Sequence, residues 1–98
     1  MNTKQRAALR SMANTMEVIL YIGKDGINDN LAKQAWDALE ARELIKVSVQ
    51  QNAPMDAREA CAALCEKVHA ESVQVIGRRF VIYRKARKDS KIDIDQLG

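Results

Sequence analysis

A Gly-x-x-Gly motif, Gly23-Lys24-Asp25-Gly26, lies between a short apolar run and the polar pair Asn28-Asp29. Either member of that pair suits the position that begins a helix. A helix N-terminus presents unpaired N–H groups and the positive end of the helix dipole, and glycines let another backbone approach closely. Lys24 adds a positive charge, whereas Asp25 opposes an anion. The motif predicts a phosphate contact, although any strand-to-helix turn can use two glycines.

Positive charge is distributed unevenly along the chain. The net charge is +3, but residues 1–16 carry three basic residues and no acid, and residues 77–91 carry seven basic residues against one acid. The segment between them is net acidic. Such asymmetry indicates a polyanionic partner. We expect Arg6 and Arg10 to lie on one broad face with Lys24, and either the Arg78-Arg79 turn or the Arg84-Lys85 pair to extend that face. The candidate contacts in the two basic blocks are Arg6, Arg10, Arg78, Arg79, Arg84 and Lys85.

Other combinations of reactive residues do not form a readable site. Cys61, Cys65 and His69 repeat at intervals of four, but each helical step of four rotates by about 400°, and no other Cys or His completes a tetrahedral set. The lone histidine lacks a nucleophile and a carboxylate at catalytic spacing, and no nucleotide fingerprint is present. We therefore expect no metal, no cofactor and no enzymatic activity.

The elements that must position the motif follow from hydrophobic periodicity. A content of 47% hydrophobic residues in 98 is enough for the core of one domain. The pattern predicts a helix over 4–14 capped by Thr3, a strand over 17–22, a helix to about Arg42, a strand over 44–49, and a helix from Asp56 to about His69. A hairpin with Gly77-Arg78 at its turn follows. The expected fold is a two-layer α/β domain, α-β-α-β-α-β-β, with a four-stranded mixed sheet.

The hairpin also makes specific predictions about the sheet. A two-residue turn pairs Val75 with Phe80 and Val73 with Ile82, and places these four in the core. The alternate residues would then form a partly exposed face on which Tyr83 meets a ligand more readily than Tyr21 or Trp36, which are expected in or beside the core. After about Ala86 the chain is polar and is expected to fray.

Several segments together resemble one known family. The opening Thr3-Lys4-Gln5-Arg6, the GKDG loop, Leu44-Ile45-Lys46-Val47, Val73 to Gly77 and Val81 to Arg84 are similar, in order and spacing, to the YhbY-like proteins, which are stand-alone CRM (chloroplast RNA splicing and ribosome maturation) domains. The resemblance covers residues 3 to about 85, so we divide the chain into a CRM-like domain at 1–85 and a polar tail at 86–98.

The resemblance implies a fold similar to the C-terminal domain of bacterial translation initiation factor three. It also implies RNA binding and, in bacteria, association with the precursor of the large ribosomal subunit. The family's GxxG loop corresponds to Gly23–Gly26, and its basic surface to Arg6, Arg10, Lys24, Arg78, Arg79, Arg84 and Lys85.

Two other functions are compatible with the same residues. The basic patches could contact an acidic protein, or the loop alone could bind a small phosphate ligand. Only RNA binding through several phosphates predicts an affinity that falls steeply and log-linearly with salt. No apolar run approaches the roughly 20 residues of a membrane helix, and the N-terminus lacks the apolar stretch of a signal peptide. We therefore expect a cytoplasmic protein without a membrane partner.

Overall fold

The computed structural model describes residues 1–88, 90 and 92–97. Its elements confirm the predicted order, and a short 3-10 helix over Ile94–Leu97 follows them: α1 (Thr3–Ala13), β1 (Val18–Ile22), α2 (Asp29–Arg42), β2 (Leu44–Val49), α3 (Ala57–Val68), β3 (Glu71–Ile76) and β4 (Arg79–Tyr83). Within these residues, no helix has the length and apolar character needed to cross a bilayer.

The four strands form one mixed sheet in the order β1-β2-β4-β3. β1 and β2 are parallel, and β4 lies between β2 and β3, antiparallel to both. The last residues of β1, β2 and β3 therefore lie at the same end of the sheet, which we call the loop end. Backbone hydrogen bonds join the segments there: the Gln50 N–H donates to the Ile22 carbonyl at 2.8 Å, and the Val49 N–H donates to the Arg78 carbonyl at 2.7 Å.

One face of the sheet packs against α2 and α3. Ile22, Ile45, Leu64, Phe80 and other aliphatic side chains fill this main core. Both helices begin at the residues that the sequence suggests. The Asn28 side chain accepts a hydrogen bond from the Leu31 N–H at 2.8 Å. Asp56 and Glu59 form the predicted capping box, in which each side chain accepts from the other residue's backbone N–H.

Helix α1 covers part of the opposite face of the sheet, so the domain has a third layer beyond the two expected. Helix α1 packs there around a second core made of Leu9, Ala13, Leu44, Val73, Val81 and Tyr83. The N-cap of α1 is Asn2 rather than Thr3: the Asn2 side chain accepts from the Gln5 N–H at 2.8 Å, and the Gln5 side chain accepts in return from the Asn2 N–H at 2.9 Å. The fold class and element order are as predicted, with α1 forming a third layer.

An irregularity in β3 adds Val73 to this second core. Val75 lies opposite Phe80 as predicted, but the pairing of Val73 with Ile82 is wrong, because Ser72 is the residue opposite Ile82. The register shifts between Ser72 and Gln74, leaving Val73 as the extra residue of a bulge. A shift of one residue reverses the face to which a side chain points. Val73 therefore turns away from the main core and packs beneath α1.

The C-terminal segment docks onto the domain instead of fraying, as far as the structure describes it. Glu43 joins α2 to β2 with a φ of 66°, and its side chain is fully buried. Its carboxylate accepts hydrogen bonds from the Ala86 N–H at 2.8 Å, the Ser90 hydroxyl at 2.9 Å and the Ile92 N–H at 2.7 Å. The polar composition of the tail predicts fraying, but it does not reveal that the buried Glu43 carboxylate binds the tail. The division into a CRM-like RNA-binding domain at 1–85 and a separate tail at 86–98 stays a prediction.

Candidate nucleic-acid interface

The GKDG motif forms a tight turn at the loop end of the sheet. The Gly26 N–H donates to the Gly23 carbonyl at 3.0 Å, so Lys24 and Asp25 are the two central residues of a β-turn. Both of these side chains are exposed. The turn leaves β1 and leads into α2, as predicted. Glycines that admit an approaching backbone must be accessible, as the predicted phosphate contact requires, but Gly26 is buried.

Both glycines lie against the loop after β2, where an added side chain would make close contacts. A Cβ at Gly23 would lie 3.0 Å from the Gln50 side-chain oxygen. A Cβ at Gly26, where φ is 64°, would lie 3.2 Å from both Pro54 Cγ and Met55 Cε. The loop after β2 therefore supports the turn from beneath and holds Lys24 and Asp25 outward. A ligand can meet the outer side of the turn, but not the Gly26 Cα.

A wide polar depression of about 490 Å³ adjoins the turn. Its walls include Tyr21 and an unusual number of side-chain amides, from Asn28, Asn30, Gln34, Gln50 and Asn52. Each amide offers donors and an acceptor, which suits the hydroxyl groups of sugars and the edges of bases. These amides could not be recognised as a group from the sequence, because they come from two segments that only the fold brings together.

The hairpin turn lies at the same end of the sheet. Gly77 has a φ of 58° at the first central position, as the predicted two-residue turn requires. With the Gln51 amide oriented so that its oxygen faces Arg78, that oxygen accepts from the two terminal guanidinium nitrogens at 3.1 and 3.3 Å. This contact ties Arg78 to the loop after β2. Arg79 is exposed and begins β4 beside Ser48 of β2.

The prediction that Arg6 shares a face with Lys24 is wrong, whereas the Arg78-Arg79 turn does lie at the end of the sheet where Lys24 lies. Lys24, Arg78 and Arg79 share the loop end, but an Arg6 guanidinium nitrogen donates to the Ser72 carbonyl at 2.7 Å, at the start of β3 and thus at the opposite end. Lys85 follows β4, also at the opposite end. Arg10 is exposed on α1, which covers the face of the sheet opposite α2.

Arg84 is used within the fold and is not available to a ligand. Its side chain is 10% exposed and makes an ion pair of 2.8 Å with Glu40. The guanidinium also donates to the Val68 carbonyl at 3.0 Å and lies 3.9 Å from the centre of the Trp36 ring. Burial lowers the pKa of Arg84, and the carboxylate of Glu40 opposes that shift. We therefore remove Arg84 from the candidate contacts.

The aromatic side chains are placed differently from the prediction. Tyr83 is 5% exposed beneath α1, whereas Tyr21, expected in the core, is 57% exposed. Tyr21 lies on the edge strand β1 and points to the face that α1 covers only in part. Trp36 lies at the edge of the core as expected, but Arg84 and Arg87 pack against its ring. Tyr21 is thus the aromatic ring best placed to meet a ligand.

The two cysteines lie together on α3. Cys61 is buried, and its sulfur lies 3.5 Å from the Ser72 hydroxyl. A hydrogen bond from Cys65 lowers the pKa of Cys61 to about 7, and the same contact raises the pKa of Cys65. In the part of the chain that the structure describes, no group of three or more His, Cys, Asp or Glu side chains is arranged to share a metal ion.

Comparisons with known proteins agree with this architecture. The family model of the CRS1/YhbY (CRM) domain matches residues 1–84. The chain is 43% identical over 91 residues to "Probable RNA-binding protein YqeI" of Bacillus subtilis, covering 93% of this chain and 95% of the relative. It is 28% identical over 94 residues to an "RNA-binding protein" of Haemophilus influenzae, covering 96% and 94% of the two chains.

A solved structure extends the similarity to three dimensions. The solution structure of the hypothetical protein SAV1595 from Staphylococcus aureus matches with a TM-score of 0.78 and 46% sequence identity. The match covers 95% of this chain and 97% of that one. With the family match over 1–84, it shows that this chain belongs to the CRS1/YhbY (CRM) domain family.

Proposed function

We propose that this protein binds RNA and holds the sugar-phosphate backbone at the loop end of its sheet. The relatives above are named RNA-binding proteins. The observation that carries the proposal is the GKDG turn itself. Its glycines are packed against the loop after β2, so Lys24 and Asp25 are held out at the rim of an amide-lined depression. A rigid, preorganised turn binds a backbone at a lower entropic cost than a flexible loop.

The residues around the turn suggest a division of roles. Lys24 supplies a mobile positive charge to a phosphate, and Arg78, held by Gln51, extends the positive charge along the loop end. The amides of the depression supply hydrogen bonds to sugar hydroxyls, including the 2′-hydroxyl that distinguishes RNA from DNA. Asp25 repels a phosphate, so the backbone passes on the Lys24 side of the turn.

The RNA that we propose is ribosomal RNA of the large subunit, bound in the cytoplasm during ribosome assembly. This finer assignment is supported by the resemblance of the GKDG loop and the flanking strands to YhbY-like proteins. Two experiments test it: sedimentation of tagged protein with ribosomal particles, and sequencing of RNA crosslinked to it in cells. Enrichment of messenger or transfer RNA, with no large-subunit fragments, would refute the ribosomal assignment while leaving RNA binding intact.

Two substitutions at the turn test RNA binding itself. Lys24→Ala should weaken binding and reduce the magnitude of the log-log salt slope by about 1, because one phosphate contact is lost. Asp25→Asn should strengthen binding several-fold, roughly, because a repelling charge is removed. Lys67→Ala is the matched control, since Lys67 is exposed on the last turn of α3, away from the loop end.

The contrast between these variants decides the proposal. If Lys24→Ala and Lys67→Ala bind RNA equally well, the GKDG turn does not contact the backbone. If the wild-type protein binds no RNA but binds an acidic protein in a manner that depends on Arg78 and Arg79, the alternative function as a protein-interaction module replaces this one.

A further inference from the structure

A row of side chains crosses the sheet on the face that α1 covers only in part. Tyr21 pairs with Ser48, Ser48 with Arg79, and Arg79 with Ile76, so the row passes through all four strands. These residues point away from the main core, since their chain neighbours Ile22, Val47, Val49 and Phe80 pack into it. We call Tyr21, Ser48, Arg79 and Ile76 the sheet-face row.

The sheet-face row is open to solvent at both of its ends. Ile76 is 63% exposed and Tyr21 is 57% exposed, which makes them the two most exposed large hydrophobic side chains that the structure records. Helix α1 ends at Ala13, short of the row. A depression of about 130 Å³ lies between the end of α1 and the row, and its lining includes Asn14, Lys46, Gln74 and Arg79 but no acidic residue.

The charged side chains in and beside the row are basic and are not paired with other side chains in the described residues. Neither Lys46 nor Arg79 makes a side-chain hydrogen bond or an ion pair within the described part of the chain. Exposed apolar and aromatic side chains next to free cations are the combination that stacks bases and neutralises phosphates in single-stranded nucleic acids. An apolar protein partner would not account for the two cations.

We propose that the sheet-face row is a stacking platform for the bases of single-stranded RNA. This inference rests on the proposed function and adds the class of RNA that is bound. The Tyr21 ring and the Arg79 guanidinium plane stack on bases, and Ile76 provides an apolar contact at the far edge. Lys46 neutralises a phosphate beside them.

Continuity with the GKDG turn supports the same occupant. Tyr21 lines the amide depression beside Lys24 and also begins the sheet-face row, so one strand of RNA can pass from the turn over the edge of β1 onto the sheet. Three spacings of about 4.8 Å separate the four strands. A platform of that width takes two or three bases, as the four-stranded sheets of other RNA-binding domains do.

The test compares a 10-nucleotide oligouridine with an RNA duplex of the same length, both bound by the full chain. Tyr21→Ala should weaken binding of the single strand by about 5- to 150-fold, as expected from the loss of one stacked base. The salt slope should not change, because no charge is removed. Tyr21→Phe keeps the ring and should bind like the wild type. Tyr21→Ala should weaken duplex binding much less than single-strand binding, because paired bases cannot stack on the sheet.

Failure of this inference can be told apart from failure of the proposed function. If the wild type binds neither RNA, the proposed function is wrong. If the wild type binds RNA and Tyr21→Ala binds the single strand equally well, or loses single strand and duplex alike, the platform is wrong and the turn stands. Should Tyr21→Ala fail to fold, Ile76→Ser at the opposite edge provides the same comparison, with a weaker loss expected.

Discussion

Replacing Gly26 by alanine should destabilise the protein more than the same replacement at Gly77. Both glycines have positive φ values, 64° and 58°. An alanine in that conformation costs about 1–2 kcal/mol. At Gly77 nothing lies within 4 Å of the added Cβ, so this strain is the main cost. At Gly26 the added Cβ would also meet Pro54 Cγ and Met55 Cε, each at 3.2 Å.

The extra cost at Gly26 follows from what its neighbours can do. The Met55 side chain is flexible and can move, but the Pro54 ring is rigid, so we take the lower end of the overpacking range, about 1 kcal/mol. Gly26→Ala should then lose about 2–3 kcal/mol, which in a domain of this size corresponds to roughly 10–20 °C in Tm. Adding Pro54→Ala to Gly26→Ala should recover about 1 kcal/mol of the packing part.

Urea denaturation measures the free energy of unfolding of both variants, and the denaturation midpoints are compared at a common m-value. Equal losses of stability for Gly26→Ala and Gly77→Ala would refute the expected overpacking at Gly26, because Pro54 and Met55 would then accommodate the added Cβ without cost. If Gly26→Ala is the less stable variant, a loss of RNA binding in any Gly26 variant reflects distortion of the turn. Lys24, whose side chain is exposed, is for that reason the cleaner probe of the RNA contact.

Three further substitutions test contacts away from the RNA surface. Arg84→Ala should lower the free energy of unfolding, measured by urea denaturation, by about 2 kcal/mol, because it leaves the half-buried Glu40 without its ion-pair partner. The RNA affinity should stay at the wild-type value. A change in RNA affinity at equal stability would show that Arg84 does contact RNA. Glu43→Ala should release the C-terminal segment, seen as faster hydrogen exchange at the Ile92 amide, and unchanged protection there would show that Glu43 is not the anchor. Cys61→Ala should cost about 1 kcal/mol because it empties core volume, and RNA affinity of the folded protein should not change.

Features that depend on neighbouring residues in the chain could be predicted from the sequence. The order of helices and strands follows from hydrophobic periodicity, and the capping box at Asp56 and Glu59 follows from residue types three positions apart. The turn at Gly77 and the pairing of Val75 with Phe80 follow from hairpin length alone. The place of the GKDG motif between β1 and α2 was likewise predictable, because a composition change marks both of its sides.

Features that depend on contacts between distant segments were decided only by the tertiary structure. The bulge at Val73 directs that side chain into the second core beneath α1, and no local pattern in the sequence indicates it. Arg84 resembles a surface cation in the sequence, but Glu40 and Trp36, more than forty positions earlier, enclose it. Tyr21 lies in an apolar run and is expected in the core, yet it is exposed because the second core beneath α1 contains no residue of β1. Exposure and charge pairing are properties of the assembled surface, which is why the site residues were harder to predict than the fold.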